Sequence, residues 1–360
     1  NNNEMLKPYT TLDIIALTLA LIHFGVPLTY YWYMKTKYLN KPWNIKINPN
    51  YKPKITIIVP TYNEAKLIWK KLNNIAEQEY PKEKMDIIVV DSASTDGTPQ
   101  LVKKWAKEYS SVRIILIEEP ERKGMAHALQ TGLKHAKGDV IVITDADALW
   151  KDCTTLKKVV KWLSSEDVGS VSCIKIPLST KQTEKTLEYV YRQYYNTLRI
   201  SESKAWSTPI FHGELSAFKK EHLMKIKGFS LGVGSAESLA AMKIAALGYR
   251  AIIPDDIIVG ETIPKKEYLK WRIRRAQHLI LHFIKTISHF REYCSAFRKI
   301  VLIETYIHIF NPWMLLLSLI TILYSILLHS SFLALSMAIL GFSLLLLRSY
   351  RTWILSQFYL

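Results

Sequence analysis

The sequence contains only three cysteines in 360 residues, Cys153, Cys173 and Cys294. They are scattered, odd in number and without the spacing of metal ligands, so they indicate neither a disulfide framework nor a zinc site. This pattern fits a domain that folds in the reducing cytosol.

Two common nucleotide-binding motifs are also missing. No G-x-G-x-x-G follows the first predicted strand, and no G-x-x-x-x-G-K-[ST] occurs in the chain. The sequence therefore supports neither a dinucleotide-binding fold nor a P-loop.

Acidic residues are scarce relative to basic ones. The chain has 31 Asp and Glu against 48 Lys and Arg, a net charge of +17. A nucleic acid is one partner for such a chain, but an anionic membrane leaflet and anionic small molecules account for the same excess in a membrane-anchored protein. We therefore expect a membrane and anionic ligands, and no nucleic acid.

Charged residues are almost absent from two long apolar stretches. A transmembrane helix needs about 20 mostly apolar residues, and the sequence predicts one span at 11–33 and two more at 305–328 and 331–347. Basic residues follow the first and last spans: Lys35, Lys37, Lys41, Lys46, Arg348 and Arg351. Since lysine and arginine are enriched in cytoplasmic loops, the N-terminus is expected outside and the large central region in the cytosol of a multi-pass cell-membrane protein.

These features divide the chain into five predicted parts. They are an N-terminal transmembrane helix (1–34), a large cytosolic domain (35–280), an interfacial helical linker (281–304), two transmembrane helices (305–347) and a C-terminal amphipathic segment (348–360). The last segment either lies on the inner membrane surface or begins a further span.

The central region alternates short β-branched runs with segments of helical length. The runs are "KITIIVP", "MDIIVVD", "VRIILIE", "DVIVITDAD", "VGSVSC" and "YRAIIPDD". Continuous rather than alternating apolar runs are typical of buried parallel strands, so the pattern predicts an open, mainly parallel α/β sheet with flanking helices. Ligands bind such sheets beyond the carboxyl ends of the strands.

Polar side chains cluster where three of these strands end. Asn63 and Glu64 follow the first strand, Asp91 and Asp96 the second, and "DAD" the fourth. Asp145 and Asp147 lie two apart in extended backbone and therefore point the same way. Two such anions call for a cation. In "ERKGMAHALQTG", Arg122, Lys123 and Gly124 open a helix, which is an anion site suited to phosphate.

Four ordered motifs, "VPTYNEA", "VVDSASTDGT", "RKGMAHAL" and "ITDAD", resemble family 2 of the inverting nucleotide-sugar glycosyltransferases, which have the GT-A fold. The resemblance covers about residues 54–280. It implies donor contacts from Pro60, Tyr62, Glu64, Asp91, Lys123 and Asp145. It also implies a Mg²⁺ or Mn²⁺ ion on Asp145 and Asp147, with a UDP- or GDP-linked sugar as donor.

Two further segments resemble parts of the same family. "HGELSAFKK" is similar to its acceptor-side segment, which implies acceptor contacts from His212, Gly213 and Glu214. Members carry Glu-Asp about a dozen residues before a Gly-Tyr-Arg strand start, the Asp being the catalytic base. Counted back from Gly248, those places hold Ala236 and Glu237, which makes Glu237 the expected base; a slip of one residue puts Ser238 there instead.

The sequence departs from the polymer-synthase branch of the family at "EYLKWRIRRAQH". Where that branch has Q-x-x-R-W, this chain offers Trp271, Arg274 and Arg275, so the guanidinium is kept and the tryptophan at the family's position is lost. Arg274 and Arg275 are expected on the donor. The basic residues from Lys265 to Arg275 form either a membrane-surface patch or a direct phosphate contact.

An amphipathic helix is predicted over 184–203, where Val190, Tyr191, Tyr194, Tyr195 and Leu198 recur at helical spacing. Core packing is its default explanation, and an interfacial helix at the lipid headgroups is the alternative that its tyrosines support.

Together these features predict a metal-dependent hexosyltransferase at the cytosolic membrane face. It would move a sugar with inversion to a membrane lipid-linked acceptor, either a polyprenyl phosphate or a glycolipid. A processive polysaccharide synthase and a non-catalytic membrane scaffold that binds nucleotide sugars are the alternatives.

Overall fold

A computed structural model describes residues 8–178, 182–232, 234–264 and 266–360, with the side chains of 182–187 left out. Lys265 and the first seven residues of the predicted N-terminal helix region therefore lie outside the described residues.

The central region is built on a seven-stranded sheet. Its strands are β1 Ile55–Thr61, β2 Met85–Ser92, β3 Arg113–Glu119, β4 Val140–Ile143, β6 Val168–Ser172, β8 Ser216–Lys219 and β9 Arg250–Ile252. Their order is β3-β2-β1-β4-β8-β6-β9, and every neighbouring pair is parallel except those that β8 makes with β4 and β6. The predicted mainly parallel α/β sheet is confirmed, and each predicted run contains one strand.

A second, three-stranded sheet extends the first. It contains β5 Ala148–Trp150, β7 Ile174–Pro177 and β10 Ile258–Glu261 in the order β5-β10-β7. β5 begins at the residue after Asp147, so this sheet fixes the chain directly behind the predicted metal ligands.

Helices cover both faces of the main sheet. The helices of the central region are α2 Ile68–Ala76, α3 Thr98–Glu108, α4 Met125–His135, α5 Thr155–Leu163, α6 Gln182–Ala205, α7 Lys220–Lys225, α8 Ala236–Ala246 and α9 Tyr268–Ile287. Alternate residues of a strand point to opposite faces. Ile57 and Val59 accordingly pack with Leu72 of α2, whereas Ile58 packs with Leu129 of α4.

Within the part of the chain that the structure describes, two helices are long and apolar enough to cross a membrane. The first runs from Thr11 to Leu39 as α1 Thr11–Met34 and a π-helical turn Lys35–Leu39. The second runs from Ser295 to His329 as α10 Ser295–Thr305, a π-helical turn Tyr306–Phe310 and α11 Asn311–His329. The structure thus has a membrane-length helix near each end of the chain.

The C-terminal region differs from its predicted division. Residues 295–304, expected in an interfacial linker, form the start of the second long helix. The predicted third span is α12 Phe332–Leu344, whose 13 residues rise only about 20 Å against a hydrocarbon core of about 30 Å. α12 is bent by 106° from α13 Arg348–Tyr359, so the pair is a broken span or a re-entrant segment.

α13 packs against α1 and α6 rather than lying only on a membrane surface. Trp353 Nε1 donates to His23 Nε2 at 3.1 Å, and its ring lies edge-on to Tyr194 of α6. Tyr194 also stacks on Tyr31 of α1, with ring centroids 4.7 Å apart. α6 is therefore held between the catalytic core and the membrane helices, which favours core packing over a headgroup position for this helix.

Buried polar contacts join α1 to the second long helix. The Asp13 carboxylate accepts hydrogen bonds from Ser325 Oγ (2.6 Å) and Ser331 Oγ (2.7 Å). Nearer the catalytic domain, Arg199 of α6 lies between Glu202 and Glu304 of α10, at 2.8 Å from each. Burying a charge is costly unless it is paired, so this cluster stabilises the packing of the central domain against the second long helix.

Candidate active site

The carboxyl ends of β1 and β4 and the amino ends of α4, α8 and α9 open onto one cavity of about 1090 Å³. Nearly all the predicted site residues line it: Pro60, Tyr62, Glu64, Lys123, Asp145, Asp147, His212, Gly213, Glu214, Glu237, Arg274 and Arg275. Residues predicted from motifs as far apart as Pro60 and Arg275 are thus brought to one site.

Asp91 is the exception among the predicted residues. It is buried, and its carboxylate accepts hydrogen bonds from Thr61 Oγ1 (3.0 Å), Ser94 N (2.9 Å) and Ser94 Oγ (2.6 Å). These bonds shape the loop after β2. Asp91 does not line the cavity, so direct contact with the donor remains a prediction for it.

The loops after β1 and β2 hold each other. Asn63 N donates to Ser94 Oγ at 2.8 Å, and Thr95 N donates to Asn63 Oδ1 at 2.9 Å. Glu64 follows and faces the carboxylates of the metal motif: burial, Asp147 and Asp96 raise its pKa to about 7. The cavity wall on this side is therefore preorganised and acidic.

Asp145 and Asp147 follow β4 as predicted, at the centre of the cavity wall. Asp145 N donates to Gly213 O at 3.1 Å, which fixes the turn. Burial, together with Glu214, Asp147 and Glu237, holds the pKa of Asp145 well above its usual range, and burial with Glu214 and Glu261 raises that of Asp147. Carboxylates crowded in this way are poorly compensated by the protein alone.

This arrangement fits a divalent cation. Carboxylate oxygens are the ligands that Mg²⁺ and Mn²⁺ prefer, and Mg²⁺ in particular is commonly held by one or two carboxylates plus substrate phosphates. In the part of the chain that the structure describes, no three His, Cys, Asp or Glu side chains are placed to hold a metal by themselves. Asp145 and Asp147 would hold the ion only together with a phosphate ligand.

Gly213 leaves room for the metal motif. A Cβ at this position would lie 2.9 Å from Asp145 Oδ2, and overpacking a tight site costs about 1–3 kcal/mol. We expect Gly213→Ala to weaken Mn²⁺ and nucleotide-sugar binding about tenfold, measured by calorimetry. Gly341→Ala in α12, where a Cβ would meet only Tyr350 Oη at 3.8 Å, is the control. Unchanged binding in Gly213→Ala would contradict the close approach.

The predicted anion site lies at the start of α4. Arg122 stacks on the Tyr62 ring at 3.9 Å from its centroid, and Lys123 pairs with Glu121 at 3.1 Å on the exposed rim. Gly124 has φ +91°, a backbone conformation that L side chains rarely adopt. Two cations and the free amides of a helix start thus meet at the cavity edge opposite the carboxylates.

Glu237 is the second residue of α8 and is 7% exposed. Burial raises the pKa of its carboxyl to about 7, and its Oε2 has no hydrogen-bond partner among the described residues. Ser238, the alternative, is occupied: its Oγ donates to Phe211 O (3.1 Å) and accepts from Phe211 N (3.0 Å). The geometry therefore favours Glu237 as a group that can take a proton.

The predicted acceptor residues lie beside an ion network that the sequence motifs did not indicate. Lys175 Nζ lies 2.8 Å from Glu214 Oε1 and 3.3 Å from Glu261 Oε1. Arg192 Nη2 lies 2.6 Å from Glu261 Oε2, and Arg275 Nη1 pairs with Glu261 as well. Because Glu214 is already tied to Lys175, its contact with an acceptor stays a prediction.

Three cations of this network surround His212. Burial, with Lys175, Arg192 and Arg275, holds the pKa of His212 well below its usual range, so its imidazole is neutral. Against burial, Arg192, Arg275 and Lys175 hold the pKa of Glu261 well below its usual range. This part of the cavity is cationic, in contrast to the acidic wall around Asp145.

A tryptophan does line the cavity, although not at the family's position. The Arg275 guanidinium lies 4.7 Å from the centroid of Trp271. The cavity is also lined by His308, from the π-helical turn of the second long helix, and by Ser356, Tyr359 and Leu360 of the C-terminal region. The carboxylate pair and a membrane-length helix thus line the same cavity.

Comparison with known proteins agrees with these features. Residues 56–227 match the family described as glycosyl transferase family 2. The mannosyltransferase PcManGT from Pyrobaculum calidifontis, solved in complex with GDP-Man and Mn²⁺, is 47% identical, with a TM-score of 0.89 over 97% of this chain and 96% of that one.

Two curated relatives match more distantly. Glycosyltransferase AglE from Haloferax volcanii is 36% identical over 95 residues, so that 26% of this chain matches 31% of the length of that relative. Poly-beta-1,6-N-acetyl-D-glucosamine synthase from Staphylococcus aureus is 23% identical over 300 residues, which cover 78% of this chain and 71% of that one.

Proposed function

This chain belongs to glycosyl transferase family 2, and we propose that it transfers one hexose, with inversion, to a lipid-linked acceptor at the cytosolic face of the membrane. That it is a metal-dependent enzyme using a nucleotide sugar follows from its family and from its 47% identity to a mannosyltransferase solved with GDP-Man and Mn²⁺. The acceptor and the orientation are the proposed parts.

The observation that supports a lipid acceptor is the course of the cavity. Its lining includes both Asp145 with Asp147 and His308, which lies within the helix Ser295–His329, together with the C-terminal residues of α13. An acceptor whose tail lies in the bilayer would reach the sugar by this route without leaving the membrane. A soluble acceptor would not require the cavity to extend to a membrane-length helix.

We propose GDP-mannose as the donor, ahead of UDP-linked sugars, because PcManGT, which is 47% identical to this chain, was solved with that ligand. The amides and cations at the start of α4 would face the diphosphate. When bound between Asp145, Asp147 and the diphosphate, Mg²⁺ or Mn²⁺ would act as a Lewis acid that neutralises the leaving group.

The chain's own residues would do the remaining work. Glu237 would take the proton from an acceptor hydroxyl as its oxygen attacks the anomeric carbon. The cationic part of the cavity, with Arg192 and Arg275, would orient an anionic acceptor such as a polyprenyl phosphate. Arg274 also lines the cavity, which supports a phosphate contact for the basic segment at the start of α9.

The test is to incubate the purified full chain with Mn²⁺, separate GDP- and UDP-hexoses, and either a polyprenyl phosphate, a polyprenol or a glycolipid. We expect the mass of the polyprenyl phosphate to rise by one hexose with GDP-mannose, because its phosphate suits the cationic region. The polyprenol, which lacks that phosphate, is the matched control. Transfer only to water-soluble sugars would contradict the lipid acceptor.

The same experiment separates the polymer-synthase alternative, which the match to the Staphylococcus aureus synthase supports. A processive enzyme would give a ladder of products, whereas the proposed one gives a single addition. The scaffold alternative would give nucleotide-sugar binding and no product at all.

A further inference from the structure

Two side chains hold the backbone immediately behind Asp147. Thr262 Oγ1 donates a hydrogen bond to the carbonyl oxygen of Asp147 at 3.0 Å. Lys71 Nζ donates to the carbonyl oxygen of the next residue, Ala148, at 2.9 Å. Two consecutive carbonyls therefore accept from side chains that come from different parts of the chain.

The two hydrogen-bond donors, Thr262 and Lys71, come from different elements of the fold. Thr262 directly follows β10, whose Glu261 pairs with Ala148 of β5 in the antiparallel ladder. Lys71 lies on α2, is fully buried, and has its ammonium 4.5 Å from the centroid of the Trp150 ring. Thr262 lines the active-site cavity, whereas Lys71 lies behind it.

Packing alone does not account for the lysine. Lys71 Nζ makes no salt bridge among the described residues, and the more distant charges of Asp145 and Asp147 offset only part of the cost of burying its ammonium. An apolar side chain would fill the same space at lower cost. The direct contacts that the structure gives the ammonium are its hydrogen bond to the Ala148 carbonyl and its position over the Trp150 ring.

We propose that Lys71 and Thr262 form a clamp, a pair of positioning residues that fixes the peptide units after Asp147 and thereby aims its carboxylate at the divalent cation. The clamp rests on the proposed role of Asp147 as a metal ligand. Rotation of either peptide unit would swing the Asp147 side chain, and groups that orient metal ligands typically contribute about ten- to a hundredfold to metal affinity.

Thr262 gives the sharper test, because it is exposed and its loss should not unfold the chain. Thr262→Val removes the hydroxyl at nearly constant shape, and Thr262→Ser keeps it. Mn²⁺ affinity of the full chain in detergent, with saturating GDP but no sugar donor or acceptor, is measured from the electron paramagnetic resonance signal of free Mn²⁺, against a control of GDP and Mn²⁺ without protein. We expect Thr262→Val to bind Mn²⁺ about five- to tenfold more weakly, the size of one lost hydrogen bond, and Thr262→Ser to match the wild type.

The role of Lys71 is tested by measuring how well residues 144–150 are protected from amide hydrogen exchange. Amide hydrogen exchange of residues 144–150 in metal-free protein should rise in both Lys71→Met and Thr262→Val, and stay unchanged in Lys70→Met, its exposed neighbour on α2. If Lys71→Met does not fold, the two Thr262 variants decide alone.

The outcomes separate the clamp from the function on which it rests. Wild-type Mn²⁺ affinity in Thr262→Val, with or without a lower melting temperature, would overturn the clamp while Asp147→Asn still loses the metal. Unchanged Mn²⁺ affinity in Asp147→Asn would instead overturn the metal site itself.

Discussion

Replacing Asp147 with asparagine is expected to weaken Mn²⁺ binding by about a hundredfold and to remove most turnover. Loss of a group that merely orients a ligand already costs about ten- to a hundredfold in metal affinity, and Asp147 is one of two carboxylates proposed to hold the ion. The amide keeps the size of the side chain but has no negative charge with which to bind the cation among the crowded carboxylates of the cavity. Donor affinity should fall in parallel, because the diphosphate would share the ion.

The measurement is calorimetric titration of GDP-mannose with and without Mn²⁺, alongside turnover with and without excess chelator. Asp86→Asn is a matched control, since Asp86 pairs loosely with Arg113 at 3.9 Å and follows the first residue of β2, at the end of the sheet opposite the cavity. Metal-dependent donor binding that survives in Asp147→Asn would place the metal on other ligands.

The elements of the fold that could be predicted from the sequence are those whose pattern lies within a few consecutive residues. A buried parallel strand needs a continuous β-branched run, and "ITIIV" of β1 and "IIVV" of β2 can be read directly. β8 was missed because its four residues, Ser216–Lys219, are too few to show a pattern and pair antiparallel between strands distant in sequence. The start of the second long helix was placed ten residues late because Arg298, Lys299 and Glu304 interrupt the apolar run there.

The candidate site divides in the same way. Asp145 and Asp147 form a short motif that the residues alone indicated, whereas Glu237 was indicated only by the family resemblance, counted back from Gly248. Arg192 and Glu261 meet across 69 positions of chain and belong to no motif, so only the fold brings them together. Thr262 and Lys71 act through backbone carbonyls, and such contacts leave no signature in the sequence.

The cavity joins two regions of opposite charge, and this favours the proposed direction of transfer. Asp145, Asp147 and Glu64 make one wall acidic, whereas Glu214 and Glu261 in the other are outnumbered by the lining arginines Arg192, Arg272, Arg274 and Arg275. A cation and a diphosphate suit the first region, and a second anion suits the other. The acceptor phosphate would therefore approach the sugar from the membrane side, opposite the leaving group, as inversion requires.

Glu237→Gln is expected to lower turnover by about a hundred- to ten-thousandfold, the usual contribution of a positioned general base. Glutamine keeps the size and polarity of the side chain but cannot accept the proton. Burial raises the pKa of Glu237 to about 7, so the wild-type rate should fall as the pH drops below about 7 and the carboxylate becomes protonated. The variant should lose this limb of the pH profile, while donor affinity measured by calorimetry stays nearly constant.

The size of the loss depends on the acceptor, because a phosphate that is already ionised needs less help than a hydroxyl. The loss of turnover in Glu237→Gln should therefore lie near the lower end of that range with a polyprenyl phosphate and near the upper end with a glycolipid. Ser238→Ala is the matched control, since its hydroxyl is engaged with the Phe211 backbone. Full activity of Glu237→Gln on a hydroxyl acceptor would remove Glu237 from the mechanism. Asp255 and Asp256, the next carboxylates along the chain, do not line the cavity, so Glu64, which does and whose pKa is also raised to about 7, would be replaced next.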